Sequence, residues 1–280
     1  FFQEYTLDVI CKVALGMHDS PFFVLRDMLK KNVDQRKIDR QNEEAKSRDF
    51  IDIFLDAEVN ASEVKFGAES DTSRKLSAEE IVGQCLIFLL AGFDTTSNSL
   101  SYVTHFLANH VDVQQKLIDE VEAFLGEHES IEIDHLTDLK YMEAVIKESL
   151  RHYPLANIAH TRECTRPCEI DGFRFQCGDM VQVDTWSMHM DRDVWGEDAA
   201  EFRPERWLEP SARPRTAFQS FGEGPRICLG MRLAYVEEKV ALLKLLSRFR
   251  IEKTANTNPI KLVGSLTVSP ASVSVKLVKR

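Results

Sequence analysis

Apolar positions recur at helical spacing from the first residue to Tyr153. Over Phe1 to Ala14, Tyr5, Val9, Ile10, Val13 and Ala14 share one face, which predicts an amphipathic helix that opens with neither an initiating Met nor a cap, as in a piece of a longer chain. Residues 22–54 alternate apolar and charged groups at the same period and predict two further helices, whereas residues 57–75 are polar, contain Gly67 and predict a surface linker. Ser77-Ala78-Glu79-Glu80 is a capping box set just before an apolar run, so a long helix starts there and continues to about Asn109. At ~1.5 Å per residue it is roughly 50 Å long. Its middle is apolar nearly all round, which predicts burial on most sides. Val111–Leu125 and Leu139–Tyr153 predict two more helices, the second stopped by Pro154.

Beyond Pro154 the texture changes. Ile170–Phe175 and Asp179–Val183 alternate between turn residues and predict strands. Helical spacing returns over Leu233–Phe249, and Leu262–Val278 alternates as strands. The predicted class is mainly α with a small segregated β-sheet (α+β), arranged as a single domain over residues 1–280. The longest apolar stretch, Cys85 to Phe93 with Gly92 counted, is far short of the roughly 20 residues of a membrane-spanning helix. With 44% hydrophobic and 29% charged residues the chain is ordinary for a globular protein, and a net charge of -10 argues against a nucleic-acid partner. The six cysteines, at 11, 85, 164, 168, 177 and 228, form no secreted-type framework and point to a reducing compartment. Cys164, Cys168 and Cys177 have no Cys-x-x-Cys or His-x-x-x-His spacing, so no zinc site is expected of them.

The most informative segment is Phe221-Gly222-Glu223-Gly224-Pro225-Arg226-Ile227-Cys228-Leu229-Gly230, a glycine-pinned loop feeding a helix. A thiol at a helix N-terminus is favoured as thiolate by backbone N–H groups and the helix dipole, and is a ready metal ligand. Gly222 and Gly224 let the backbone fold close to the sulfur, Gly230 removes a side chain where a flat cofactor could press, and Arg226 offers a fork for a carboxylate. A buried structural cysteine is the plainer reading of a thiol taken alone. The whole decamer resembles the haem-binding signature of the cytochrome P450 family, with the phenylalanine, both early glycines, the arginine, the cysteine and the final glycine all in register. The resemblance implies haem b (iron protoporphyrin IX) with Cys228 as axial iron ligand, Phe221, Gly222, Gly224 and Gly230 around it and Arg226 on a propionate.

Three further segments match the same family in order. Ala91-Gly92-Phe93-Asp94-Thr95-Thr96 places a glycine, an acid and two hydroxyls inside the long helix, where a widened turn or a kink with satisfied hydroxyls would serve. It is similar to the family's oxygen-activation motif, which implies that Thr95 orients O2, Asp94 relays protons, and Ala91 and Gly92 leave room over the iron. Glu148 and Arg151 lie one turn apart, ordinarily a solvated pair. The family joins such a pair to an arginine of a later Pro-Glu-Arg segment, here Arg206, in a structural triad. Arg162 resembles a second propionate-binding arginine. His189 is expected to be structural.

The implied activity is a haem-thiolate monooxygenase that inserts one atom of O2 into a small apolar organic substrate, with electrons from NADPH-cytochrome P450 reductase. Lys239 and Lys244 are candidates for charge at that docking face. The resemblance is to the animal microsomal branch, which places the full-length protein on the cytosolic face of the endoplasmic reticulum membrane, held by an N-terminal anchor. Between Gly16-Met17-His18-Asp19 and Ser20-Pro21-Phe22 the family inserts two lid helices that this chain crosses in a few residues. A non-catalytic remnant with weak or no haem binding is therefore the alternative.

Overall fold

The structure, a computed structural model, describes residues 2, 25–41, 49–57, 76–264 and 267–280. The predicted opening helix, the crossing at residues 16–22 and residues 58–75 of the predicted linker lie outside the described residues. The chain divides into two compact units, Phe1–Ser97 and Asn98–Arg280.

In the first unit the two helices expected within residues 22–54 are α1 (Leu25–Gln41) and α2 (Phe50–Asp56), followed by the start of the long α3 (Ala78–Asn109). A reciprocal box starts α2, with the Asp52 N–H donating to the Asp49 carboxylate and the Asp49 N–H to that of Asp52. Arg36 of α1 ties this turn down through ion pairs to Asp49 at 3.0 Å and Asp52 at 2.6 Å. The box foreseen before α3 is present: the Ser77 N–H donates to Glu80 at 2.8 Å and the Glu80 N–H to the Ser77 hydroxyl at 3.3 Å.

The opening half of α3 departs from the expected all-round burial. Ile81, Cys85 and Leu89 form one buried stripe at intervals of four, while Ile87 and Leu90 are 55% and 48% exposed. Leu29 and Val33 of α1 and Ile51 of α2 are buried in the same unit, and Phe88 packs 4.6 Å from Phe50.

The second unit carries the rest of α3, then α4 (Val111–Glu127), α5 (Lys140–His152), two short helices α6 (Thr185–His189) and α7 (Arg192–Trp195), and α8 (Met231–Leu246). From Thr96 onward α3 is buried almost continuously, with Leu100, Tyr102, Val103 and Leu107 fully inside. The α5 N-terminus lacks a cap from its own sequence. Glu120 of α4 supplies one, accepting the Tyr141 and Met142 N–H groups at 2.6 and 2.8 Å. Buried Gln114 donates to the carbonyls of Leu107 and Ile251 and accepts the Ile251 N–H, joining three elements with one amide.

Among the described residues eight short strands pair antiparallel: β1 (Arg162–Glu163) with β4 (Met180–Val181), β2 (Cys168–Ile170) with β3 (Phe173–Phe175), β5 (Phe249–Lys253) with β8 (Val275–Lys279), and β6 (Leu262–Val263) with β7 (Ser269–Pro270). The helix expected to reach Phe249 stops at Leu246. Phe249 opens β5 instead, facing Lys279, because Arg250, Ile251 and Glu252 alternate out, in, out with period two. No helix among the described residues is long and apolar enough to cross a membrane.

Candidate cofactor site

The cysteine loop is closed by its own backbone. Gly222 and Gly224 both adopt φ of 74°, the left-handed region that a side chain resists, and this reversal lets the Cys228 N–H donate to the Phe221 carbonyl at 2.8 Å. A Cβ at Gly222 would also meet Nε2 of His160 at 3.4 Å. Gly230 precedes α8 without a side-chain cap, and the Met231 N–H donates to the Cys228 carbonyl at 3.4 Å, tying the first turn of the helix to the cysteine. Phe221 packs against Tyr235 of α8 at 5.2 Å, fixing the loop's entry.

The thiolate expected from this arrangement is not favoured by the protein alone. Partial burial of the sulfur pushes the Cys228 thiol up, and the N–H groups of Gly230 and Met231 pull it back only in part. The residue nonetheless keeps an exposed side. Sequence reasoning saw the helix terminus and overlooked the desolvation that comes with packing a sulfur against a loop.

Two contacts hang this loop on the C-terminal end of α5. Ser220 Oγ donates to the Leu150 carbonyl at 3.0 Å. The Gln219 N–H donates at 3.0 Å to Nε2 of His189, whose Nδ1 lies 3.1 Å from the Arg151 carbonyl. Since Nε2 accepts, Nδ1 carries the hydrogen and the ring is neutral. Burial, first of all, lowers its pKa to about 4.

Beneath that hinge Glu148, Arg151 and Arg206 meet with essentially no exposure. Glu148 Oε1 accepts from Arg151 Nη2 at 2.8 Å, Arg206 Nε at 3.0 Å and the Arg203 N–H at 3.0 Å. Oε2 accepts from Arg151 Nε at 3.0 Å and Trp207 Nε1 at 2.9 Å. The remaining guanidinium hydrogens go to the carbonyls of His189, Ala199, Trp195, Asp198 and Glu201 and to the Asp198 carboxylate. Burial pushes the Glu148 carboxyl up, but His152 Nε2 at 3.7 Å, the hydrogen bonds from Arg151 and the Arg151 charge hold it well below the usual carboxylate range. Trp207 and the Arg203 amide were not anticipated. The only signal for them was their place beside Arg206.

The other anticipated residues are less engaged. Arg226 is exposed and makes no hydrogen bond or ion pair among the described residues. Arg162 is exposed too, donating to the carbonyls of Ala159 and Thr161. Lys239, expected at a docking face, is buried instead, held by Glu143 at 2.8 Å and the Leu136 carbonyl at 3.0 Å, because α8 turns it toward α5. Lys244 is exposed. In the first unit, Ala91, Gly92, Asp94 and Thr95 lie within an unbroken helix. Of the two arrangements expected, the widened turn is absent and the satisfied hydroxyl is present. Thr95 Oγ1 donates back to the Ala91 carbonyl at 2.6 Å, which satisfies the hydroxyl without opening the ladder.

Residues 20–277 match the model of the family described as Cytochrome P450. The chain belongs to the cytochrome P450 family. Among curated relatives from Caenorhabditis elegans, "Putative cytochrome P450 CYP13A10" is 40% identical, with 100% of this chain and 66% of the relative covered. CYP13A3 is 44% identical over the same shares, and CYP13A1 is 39% identical with 99% and 66% covered. The chain thus spans just under two thirds of the length of the cytochromes P450 it matches. The alignment to CYP13A10 runs over 346 positions against 280 residues here, so that P450 carries additional residues inside the matched span.

The family's cofactor is haem b, and the residues of the loop fit it. Cys228 is exposed, Gly230 presents no side chain where a Cβ would come within 4.0 Å of the sulfur, and a Cβ at Gly224 would meet nothing within 4 Å. Arg226 adds an uncommitted cation suited to a carboxylate.

Proposed function

We propose that the whole protein is a haem-thiolate monooxygenase acting on a small apolar organic substrate. The observation that carries this reading is Cys228, exposed at the N-terminal end of α8 in a loop that its own N–H closes on the Phe221 carbonyl at 2.8 Å. When bound, the haem supplies the redox chemistry by which one oxygen atom of O2 enters the substrate and the other leaves as water. Cys228 would hold the iron, with the Gly230 and Met231 amides tempering the charge on sulfur. Arg226 and Arg162 would take the propionates. Thr95 and Asp94 would orient O2 and deliver protons, as the resemblance implies. A flavoprotein reductase using NADPH is the proposed electron donor, and the cytosolic face of the endoplasmic reticulum membrane the proposed location.

The test is the reduced, haem-loaded protein under carbon monoxide. A strongly red-shifted Soret band reports thiolate ligation. Cys228→Ala loses the band, whereas Thr95→Ala keeps it and lets oxygen consumption run ahead of product. A Soret band typical of histidine or of no protein ligand in the parent protein would refute the reading.

The additional residues that CYP13A10 carries inside the matched span favour a second reading, a P450 remnant that binds haem weakly or not at all. Failure of the purified chain to retain stoichiometric haem through gel filtration would select that reading.

A further inference from the structure

The segment that joins β1 to β2 carries a thiol pair that the P450 reading does not use. Cys164 follows β1 directly, and its main chain is pinned on both sides, the N–H donating to Asp179 and the carbonyl accepting from Gly178, each at 2.8 Å. Cys168 opens β2 and is fixed opposite Phe175 in the hairpin register. Only Thr165-Arg166-Pro167 separates them. Their sulfurs lie 4.0 Å apart, and Cys168 is exposed. The Cys164 S–H is committed to the Arg166 carbonyl at 2.9 Å, so the hydrogen between the two sulfurs comes from Cys168.

A third thiol sharpens the contrast. Cys177 is exposed, but its S–H points at the Thr165 carbonyl at 3.5 Å. Among the described residues no other pair of sulfurs is in contact, and no cluster of three or more His, Cys, Asp or Glu side chains could hold a metal ion. That leaves two thiols, one just after β1 and one on β2, each anchored by its own backbone pairing, with a short linker between. Closing from 4.0 Å to a bond of about 2 Å is within the sweep of one cysteine side chain.

We propose that Cys164 and Cys168 form a peroxide-responsive dithiol site that closes reversibly to a disulfide. One thiol reacts with hydrogen peroxide to give a sulfenic acid and water. The second thiol then attacks that sulfur, forming the S–S bond and releasing a second water. Two thiols and one peroxide give one disulfide and two waters. The product staples the end of β1, which begins at Arg162, to the β2–β3 hairpin. The Cys168 thiol sits above its ordinary value, through desolvation and then the Cys164 neighbour, so closure accelerates with rising pH.

Trypsin cuts after Arg162 and Arg174 and leaves Arg166-Pro167 intact, so both thiols fall in one peptide, Glu163 to Arg174, and Cys177 in the next. After treatment of the purified full chain with stoichiometric hydrogen peroxide and blocking of free thiols, most of that peptide is expected to have lost two hydrogens, with Cys177 still alkylated. Dithiothreitol restores it. Cys177→Ser leaves the yield unchanged, and Cys164→Ser or Cys168→Ser each abolishes it while the far-ultraviolet circular dichroism stays at the parent's. A linkage that includes Cys177, a disulfide between two chains, oxidation that stops at a single sulfinic acid, or full alkylation of both thiols after peroxide would each overturn the proposal.

Discussion

Replacing Glu148 by Gln tests how much of the second unit rests on one carboxylate. The side chain is fully buried and accepts five hydrogen bonds, three on Oε1 and two on Oε2. Glutamine turns one of those oxygens into an NH2. In the milder orientation it replaces Oε2, placing two donors against Arg151 Nε and Trp207 Nε1. At roughly 1.5–3 kcal/mol for each hydrogen bond to a charged group, that forfeits about 3–6 kcal/mol. An overlapping range, about 3–5 kcal/mol, follows from breaking a buried ion pair and leaving the Arg151 guanidinium without its carboxylate. Against a typical total of about 5–15 kcal/mol this is a large share. Urea unfolding followed by tryptophan fluorescence measures it selectively. All three tryptophans, Trp186, Trp195 and Trp207, lie in the second unit, and the Trp195 ring lies 5.0 Å from the Arg151 guanidinium. Arg174→Ala, which removes an exposed pair with Glu169, serves as the control and should shift the midpoint by less than about 0.5 kcal/mol. A Glu148→Gln loss under about 1 kcal/mol would refute the argument that this carboxylate is the irreplaceable acceptor.

Two pH dependences of opposite sign follow from buried groups. His189 falls from 6.5 to about 4 on folding, so its contribution is full above pH 6.5 and is lost as pH drops toward 4, by about 3 kcal/mol in all. The parent minus His189→Gln difference in urea stability should show that slope, and a flat difference over this window counts against a neutral buried ring. Glu238 is raised from 4.5 to about 8 by burial, which outweighs the Ser99 hydrogen bond at 3.0 Å. Its neutral form contributes fully below pH 4.5, and that stability is lost as pH rises through about 8. Glu238→Gln should gain on the parent by up to about 1.4 kcal/mol per pH unit between those limits, and equal slopes for the two proteins would exclude the shift. At the loop, Gly222→Ala should cost about 1 kcal/mol or more, since it forces a side chain into φ of 74° and onto the His160 ring. An unchanged urea midpoint would show that the loop can relax its turn.

Local signals in the chain were legible where a short-range rule decides the outcome. The Ser77–Glu80 box marks the start of α3, and Pro154 stands just beyond the end of α5. Ile170 and Phe173 close the hairpin as the turn residues Asp171 and Gly172 require, both at positive φ. Features set by long-range packing were not legible. Lys239 reads as a surface cation on helix α8, yet Glu143, 96 residues upstream, draws it inside. Thr95 reads as a place where a helix opens, but a hydroxyl that can reach the carbonyl one turn back stabilises the closed ladder equally well. Phe249 has the apolar character that would extend a helix. Its pairing with Lys279, at the far end of the chain, makes it a strand.

The buried network and the cysteine loop form one mechanical assembly, which explains why a charge cluster outside the chemistry belongs to the candidate site. The α5 C-terminus has unsatisfied carbonyls, as every helix does. Two of them, Leu150 and Arg151, are taken up by Ser220 and by the His189–Gln219 relay, so the strand entering the loop is hung on the helix end. The Arg151 side chain reaches the other way, into Glu148 and the His189 carbonyl. One residue thus fixes both the ring that holds Gln219 and the acid that holds Arg206. Only Ser220 separates Gln219 from Phe221, and the Cys228 N–H closes on Phe221. Any shift of α5 is therefore carried to the sulfur through a short chain of hydrogen bonds, with no flexible linker between to absorb it.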